Sequence, residues 1–196
     1  MTEYVFDIEA DGIDATKIHC MIANGEEVDK TFFENLSSDS VLIGHNVVRY
    51  DIPVLERLLG IKIKAQLIDT LALSWYLFPT INRHGLEQWG ERLKIEKPII
   101  TDWENLSREE YLYRCKEDVK INTKLWGLQK SLLIKIYKGD YQPLVRYLSF
   151  KMKMAMLQEK SKWKLDVDKA NTLLNELELK NEQAINELSK VMPTVP

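Results

Sequence analysis

The chain has 196 residues, of which 45% are hydrophobic and 29% charged, and its formal net charge is −3. This length allows one full domain and a smaller appendage, and the composition excludes a disordered or fibrous protein. No apolar run approaches the roughly 20 residues of a membrane span, and no signal peptide is visible. Cys20 and Cys115 show no CxxC spacing. We therefore expect a reduced, cytoplasmic protein with no membrane partner.

The first third of the chain predicts a sheet. Three segments rich in β-forming residues are separated by Asp-Gly and Asn-Gly turns, which favours an antiparallel meander: residues 4–9, 17–23 and 28–33. The apolar run 41–44 is typical of a short strand that is buried on both faces.

Helical patterns dominate the remainder. Segment 51–59 carries apolar residues at helical spacing and ends at Gly60, and two further short helices are predicted at 70–78 and 85–93. Ser107 and Glu110 form a capping box at the start of the clearest helix. Two long amphipathic helices follow, near 141–158 and 166–191. We predict an α/β core over residues 1–138 and a helical extension over residues 139–196.

The segment between Arg146 and Lys164 is basic, with six Lys or Arg residues and one acid, Glu159. Such a stretch could contact a phosphate backbone. On charge alone, a solvated helix face is the favoured interpretation.

Asp7 and Glu9 are the first candidate site. Residues i and i+2 of a strand point to the same face, so the two carboxylates would lie side by side. Adjacent carboxylates repel each other unless a cation lies between them. The competing interpretation, favoured when this pair is taken alone, is a solvent face of an edge strand.

Asp51 and Asp118 are the second and third candidate sites. Asp51 follows a buried strand and a polar loop, where ligands of open α/β sheets bind, although it could simply cap a helix. Asp118 lies inside the helix that begins at Ser107, among apolar neighbours, and could instead be exposed and paired with a lysine.

Three or four converging carboxylates would have a chemical use. Magnesium and manganese prefer hard oxygen ligands. Phosphodiester hydrolysis is well served by two such ions roughly 4 Å apart, of which one activates water and the other stabilises the leaving oxygen.

The order of these motifs resembles the DEDD (DnaQ-like) 3′–5′ exonuclease superfamily. The similarity is strongest to the N-terminal proofreading domain of phage-type family A DNA polymerases and covers roughly residues 3–130. Five ordered motifs carry it: Asp-Ile-Glu-Ala, Lys-x-His-Cys, His-Asn-x3-Tyr-Asp-x-Pro-x-Leu, Ile-Asp-Thr-Leu-x-Leu-Ser and Leu-Glu-x-Trp-Gly-x-Arg-Leu. Residues 162–168 resemble the start of the polymerase region, whose palm would lie beyond Pro196.

The resemblance implies an RNase H-like fold that uses two Mg²⁺ ions, for which Mn²⁺ can substitute. Asp7 would contact both ions, Glu9 and Asp118 would complete the inner site, and Asp51 would hold the outer ion through water. Ile13 would lie against the terminal base, unless it is a plain core residue.

The same resemblance places Asn46 and Tyr50 at the strand end, whereas His45 would order the loop rather than bind metal. One departure concerns the residue that orients the attacking water. Family members carry Tyr four residues before the last Asp, or His five before it; here Arg114 and Tyr113 occupy those positions. We predict that Tyr113 acts from the shifted position, and the alternative is that the metal alone activates water.

The function that the resemblance implies is 3′–5′ removal of nucleotides from single-stranded or frayed DNA, as the proofreading part of a polymerase. The implied partners are a DNA 3′ end, a polymerase domain in cis or in trans, and a processivity factor. The location would be the cytoplasm, or the host cytoplasm if the protein is phage-encoded. Two alternatives remain: a superfamily member that trims RNA 3′ ends, and a catalytically silent module that clamps DNA.

Overall fold

A computed structural model describes residues 2–95 and 106–192. Within that part of the chain one sheet is present, with strand order β3-β2-β1-β4-β5. The strands are β1 (Thr2–Ala10), β2 (Ile18–Ala23), β3 (Glu26–Glu27), β4 (Ser40–Gly44) and β5 (Gln66–Asp69). The helices are α1 (Lys30–Glu34), α2 (Asp51–Leu59), α3 (Thr70–Leu77), α4 (Leu86–Leu93), α5 (Arg108–Tyr137), α6 (Gln142–Lys160) and α7 (Val167–Val191).

The sheet is mixed, and β1 lies at its centre. β1 pairs antiparallel with β2 and parallel with β4, and β4 pairs parallel with β5. The register between β1 and β2 shifts between Glu9 and Ala10 of β1, where the pairing is irregular. The predicted α/β architecture is confirmed, because a mixed sheet is flanked by helices and followed by a helical segment.

Two cores hold the sheet between helices. Val5 and Ile43 pack with Val119 of α5 in one core, while Phe6 and Leu42 belong to a second core that includes residues of α2. Since neighbouring residues of a strand alternate between faces, Asp7 and Glu9 share the face of Val5, which α5 covers. The packing of the long helix α5 against the central strand β1 positions the candidate site.

The chain divides into two compact units, residues 1–157 and 158–196. Tyr141 and Val145, at the start of α6, are buried in the first unit. In the second unit α7 has no buried residue between Val167 and Val191. The domain boundary at residue 138 stays a prediction.

One predicted element differs from the structure, and one observed strand was not predicted. Residues 28–33 were expected to form a strand, but β3 ends at Glu27 and α1 begins at Lys30. The cause is Asp29, whose side chain accepts hydrogen bonds from the backbone N–H groups of Thr31 and Phe32 and so starts a helix. The short strand β5, which ends at Asp69, was not predicted.

The predicted helix ends agree with the structure. Gly60 ends α2 in the left-handed region, with φ 64°, and Ser107 forms the expected capping box with Glu110 at the start of α5. Among the described residues, no helix is both long enough and apolar enough to cross a membrane.

Candidate metal centre

Three carboxylates from β1 and α5 converge. Each of Asp7, Glu9 and Asp118 offers one oxygen, and these oxygens lie within 4.8 Å of one another. Glu9 is 9% exposed and Asp118 is 5% exposed. The edge-strand interpretation of Asp7 and Glu9 is wrong, because β1 has a partner strand on each side, and the interpretation of Asp118 as an exposed residue is also wrong.

The electrostatics of this cluster favour a cation. Burial raises the pKa of Asp7 well above its usual range, and the nearby charges of Asp51, Asp118 and Glu9 raise it further. The thiol of Cys115 lowers this pKa in part, since its Sγ donates to Asp7 Oδ2 at 3.5 Å. Together the neighbours disfavour negative charge at Asp7 in the absence of a counterion.

Asp51 lies close to this cluster but outside the three-oxygen set. It is the first residue of α2 and is 4% exposed. Burial raises the pKa of Asp51 to about 7, although hydrogen bonds from its own backbone N–H and from that of Ile8 lower it in part. The charges of Asp69 and Glu9 raise it further. The cap residue of α2 is Tyr50, so helix capping does not explain Asp51.

The donor set fits divalent cations of the Mg²⁺ type. The three clustered ligand atoms are carboxylate oxygens, which such ions prefer over nitrogen or sulfur. Three or four acidic side chains at such short separations repel one another unless positive charge compensates them. Asp7, Glu9 and Asp118 could hold one ion directly, and Asp51 lies near enough for its charge to raise the pKa of Asp7.

The side chain that reaches Glu9 from α5 is Arg114. Its Nε lies 2.7 Å from Glu9 Oε1, and the two side chains are 16% and 11% exposed. The ring of Tyr113, which we predicted to orient water, is 58% exposed. The role of Tyr113 stays a prediction. The ion pair between Arg114 and Glu9 was not predicted.

The loop after β4 is held by a residue that the sequence interpretation missed. Asp69, 3% exposed, accepts hydrogen bonds from the backbone N–H groups of Asn46 and Val48 through Oδ1 and Oδ2. It also caps α3 through Leu71 and Ala72. The motif Ile-Asp-Thr-Leu contained this signal, because an Asp before a helical run is a typical cap.

Asn46 and His45 lie in this loop. Asn46 has φ 65°, a left-handed conformation that Asn tolerates, and its buried Oδ1 has no hydrogen-bond partner among the described residues. His45 Nδ1 lies 2.9 Å from Thr70 Oγ1, which ties the loop to the start of α3. This contact supports the prediction that His45 orders the loop.

Tyr50 connects the loop that follows β4 to the loop that follows β1. The Tyr50 hydroxyl donates a hydrogen bond of 2.7 Å to the carbonyl oxygen of Gly12. The adjacent Ile13 is 90% exposed, so its interpretation as a core residue is wrong. Its predicted contact with a terminal base stays a prediction.

The fold is similar to that of solved nucleases. NrnC from Brucella melitensis with bound Mg²⁺ aligns with a TM-score of 0.60 at 17% identity, covering 85% of this chain and 90% of that chain. The same protein bound to pGG aligns with a TM-score of 0.61 at 18% identity, again covering 85% of this chain and 90% of that one. The RNase H-like fold is thereby confirmed.

A curated relative adds a sequence match. PolC-type DNA polymerase III of Mycoplasma genitalium is 38% identical over 81 residues, which span 39% of this chain but only 5% of that protein. No protein-family model matches the chain. The shared fold and the partial sequence match agree with the resemblance to the DEDD (DnaQ-like) superfamily, while the closer similarity to phage-type family A polymerases stays a prediction.

Proposed function

We propose that the chain is a metal-dependent exonuclease that removes nucleotides from the 3′ end of single-stranded or frayed DNA. The observation that carries this proposal is the convergence of Asp7, Glu9 and Asp118, with ligand oxygens within 4.8 Å of one another. Carboxylates this close together, of which Glu9 and Asp118 are buried and Asp7 is half-buried, are costly unless they hold cations. A nuclease fold with this donor set at its centre is suited to phosphodiester hydrolysis.

The carboxylates have distinct roles in this proposal. Asp7, Glu9 and Asp118 would hold an inner ion and Asp51 would hold an outer ion through water, with Mg²⁺ as the cofactor and Mn²⁺ as a substitute. Bound divalent cations supply a Lewis acid and an activated water for in-line attack on the terminal phosphodiester.

Residues near the loops after β1 and β4 would position the strand end. The hydrogen bond from Tyr50 to Gly12 fixes the backbone next to the exposed Ile13, whose apolar side chain would lie against the terminal base. Asn46 has a buried acceptor, Oδ1, suited to a donor on the strand. A terminal base must be unpaired to enter such a site, so frayed or mismatched ends would be cut faster than paired ones.

A role in proofreading is supported by the polymerase match. The match to a PolC-type DNA polymerase, 38% identical over 81 residues, favours DNA as the substrate and a polymerase domain as the partner, in cis or in trans. A processivity factor would then bind the polymerase rather than the carboxylate site.

The decisive experiment is digestion of a single DNA strand that is labelled at either its 3′ or its 5′ end, with Mg²⁺ or with EDTA. We expect Mg²⁺-dependent release of the 3′ label as a mononucleotide from the start, and a descending ladder from the 5′-labelled strand. Asp7→Ala should release nothing. Strand binding without any release of nucleotides in the wild type would identify a silent DNA-binding module and overturn the proposal.

Trimming of RNA 3′ ends is the second candidate function. It is favoured by the fold that this chain shares with NrnC, for which a complex with pGG is known. The same assay with DNA and RNA strands of one sequence separates the two candidates. We expect faster digestion of DNA, and a clear preference for RNA would replace the first candidate with the second.

A further inference from the structure

Arg114 occupies an unusual place beside the carboxylate cluster. It precedes Asp118 by four residues on α5, so both side chains leave the same face of the helix. Its Nε lies 2.7 Å from Glu9 Oε1, a distance typical of a charge-assisted hydrogen bond. A permanently charged guanidinium therefore contacts a carboxylate that the proposed function assigns to a metal ion.

The environment makes this ion pair strong. The side chains of Arg114 and Glu9 are 16% and 11% exposed, whereas those of the surface pair Arg108 and Glu27 are 62% and 41% exposed. Solvent screens an exposed pair, but it screens a nearly buried pair much less. The Arg114 charge thus compensates part of the repulsion within the cluster.

A cation at Glu9 would meet Arg114 in either of two ways. If the cation takes Oε1, the hydrogen bond to Arg114 must break. If it takes the other oxygen, two positive charges lie on one carboxylate at short range and repel each other. Both arrangements make cation binding weaker than it would be without Arg114.

We propose that Arg114 is the internal counterion of Glu9, a positioning residue that stabilises the cation-free site and lowers its affinity for divalent cations. The proposal rests on the proposed function, since it requires that Glu9 is a cation ligand. Arg114 therefore sets the cation concentration at which the site fills.

The test is calorimetric titration of the full chain with Mn²⁺, in the absence of nucleic acid. Arg114→Gln should bind Mn²⁺ about 10-fold more tightly, the scale of one lost repulsion at short range. Arg114→Lys, which keeps the charge, should remain within about 3-fold of the wild type. Lys120→Gln is the matched control, because Lys120 lies on the same helix but pairs with Glu117, and it should leave the affinity unchanged.

Thermal unfolding provides a second readout. In EDTA, Arg114→Gln should melt below the wild type, because the carboxylates lose their counterion, and saturating Mn²⁺ should remove most of that difference. A purely structural arginine would lower the melting temperature equally in both conditions. An equal loss of melting temperature in EDTA and in saturating Mn²⁺ would therefore overturn the proposal.

The titration also separates this proposal from the proposed function. If the wild type binds Mn²⁺ and Arg114→Gln binds it equally or more weakly, the counterion role is wrong and the metal site remains. If the wild type binds no Mn²⁺, the proposed metal-dependent function fails, and the role of Arg114 fails with it.

Discussion

The two compact units differ in which residues of their long helices are buried and which are exposed. In the first unit, residues 1–157, Asp118 lies on a long helix and is 5% exposed. In the second unit, residues 158–196, Leu177 also lies on a long helix and is 62% exposed. Burying an acid is costly and exposing a leucine gains nothing, so each helix departs from the usual pattern.

The difference shows which departure requires a functional explanation. Asp118 is one of three clustered acids, and Cys115 of the adjoining core donates a hydrogen bond to Asp7 in that cluster. A stable core can support such a costly cluster when the cluster has a chemical use. In α7, by contrast, no residue is buried, so its apolar residues add little to the stability of that unit.

The largest expected effect compares one aspartate from each unit. Asp118→Asn should reduce mononucleotide release at saturating Mg²⁺ by roughly 1000-fold, because a cation ligand contributes several kcal/mol to the transition state. Asp168→Asn, in the first turn of α7, should keep the wild-type rate. Equal rates in the two variants would show that the carboxylate cluster takes no part in catalysis.

Two leucines, one from each unit, extend the comparison to the free energy of unfolding. Leu125→Ala should lower the free energy of unfolding by about 2–5 kcal/mol, because its fully buried side chain leaves a cavity. Leu177→Ala should change that free energy by less than about 0.5 kcal/mol, as expected for an exposed position. Urea denaturation measures both, and a large loss in Leu177→Ala would show that α7 has a buried partner in solution.

The third prediction concerns Tyr113, whose side chain is exposed and whose predicted role is to orient the attacking water. Tyr113→Phe should slow hydrolysis about 10-fold if its hydroxyl orients the attacking water. Tyr147→Phe is a matched control, since both rings are 58% exposed. Wild-type rates in Tyr113→Phe would remove this residue from the mechanism.

The smallest effect is a pH dependence of stability. Burial raises the pKa of Asp51 to about 7, so without metal the folded chain binds more protons than the unfolded chain between about pH 4 and 7. The contribution of Asp51 to stability is therefore full below pH 4 and is lost as the pH rises through 7. In EDTA, the melting temperature of Asp51→Asn relative to that of the wild type should rise as the pH rises through this range. A constant difference would contradict the raised pKa.

Much of the site was predictable because it depends on short-range periodicity. The two-residue repeat of a strand placed Asp7 beside Glu9, and the capping box at Ser107 fixed where the helix of Asp118 begins. That Asp118 would meet the strand followed from the ordered motifs rather than from local pattern.

The missed features depend on contacts between distant segments. Arg114 reaches Glu9 across 105 positions of sequence, and Asp69 holds the backbone of Asn46 from 23 positions away. No periodicity encodes such pairs. The error at residues 28–33 was local, since the cap formed by Asp29 outweighed the β-propensity of the aromatic residues that follow.

The central claim is that Asp7, Glu9 and Asp118 together hold a divalent cation. Its most direct test is an anomalous difference map from crystals grown with Mn²⁺. We predict a peak within about 2.0–2.4 Å of an oxygen from each of these three carboxylates, as hard-cation coordination requires. A fully loaded crystal with no peak between β1 and α5 would contradict the account.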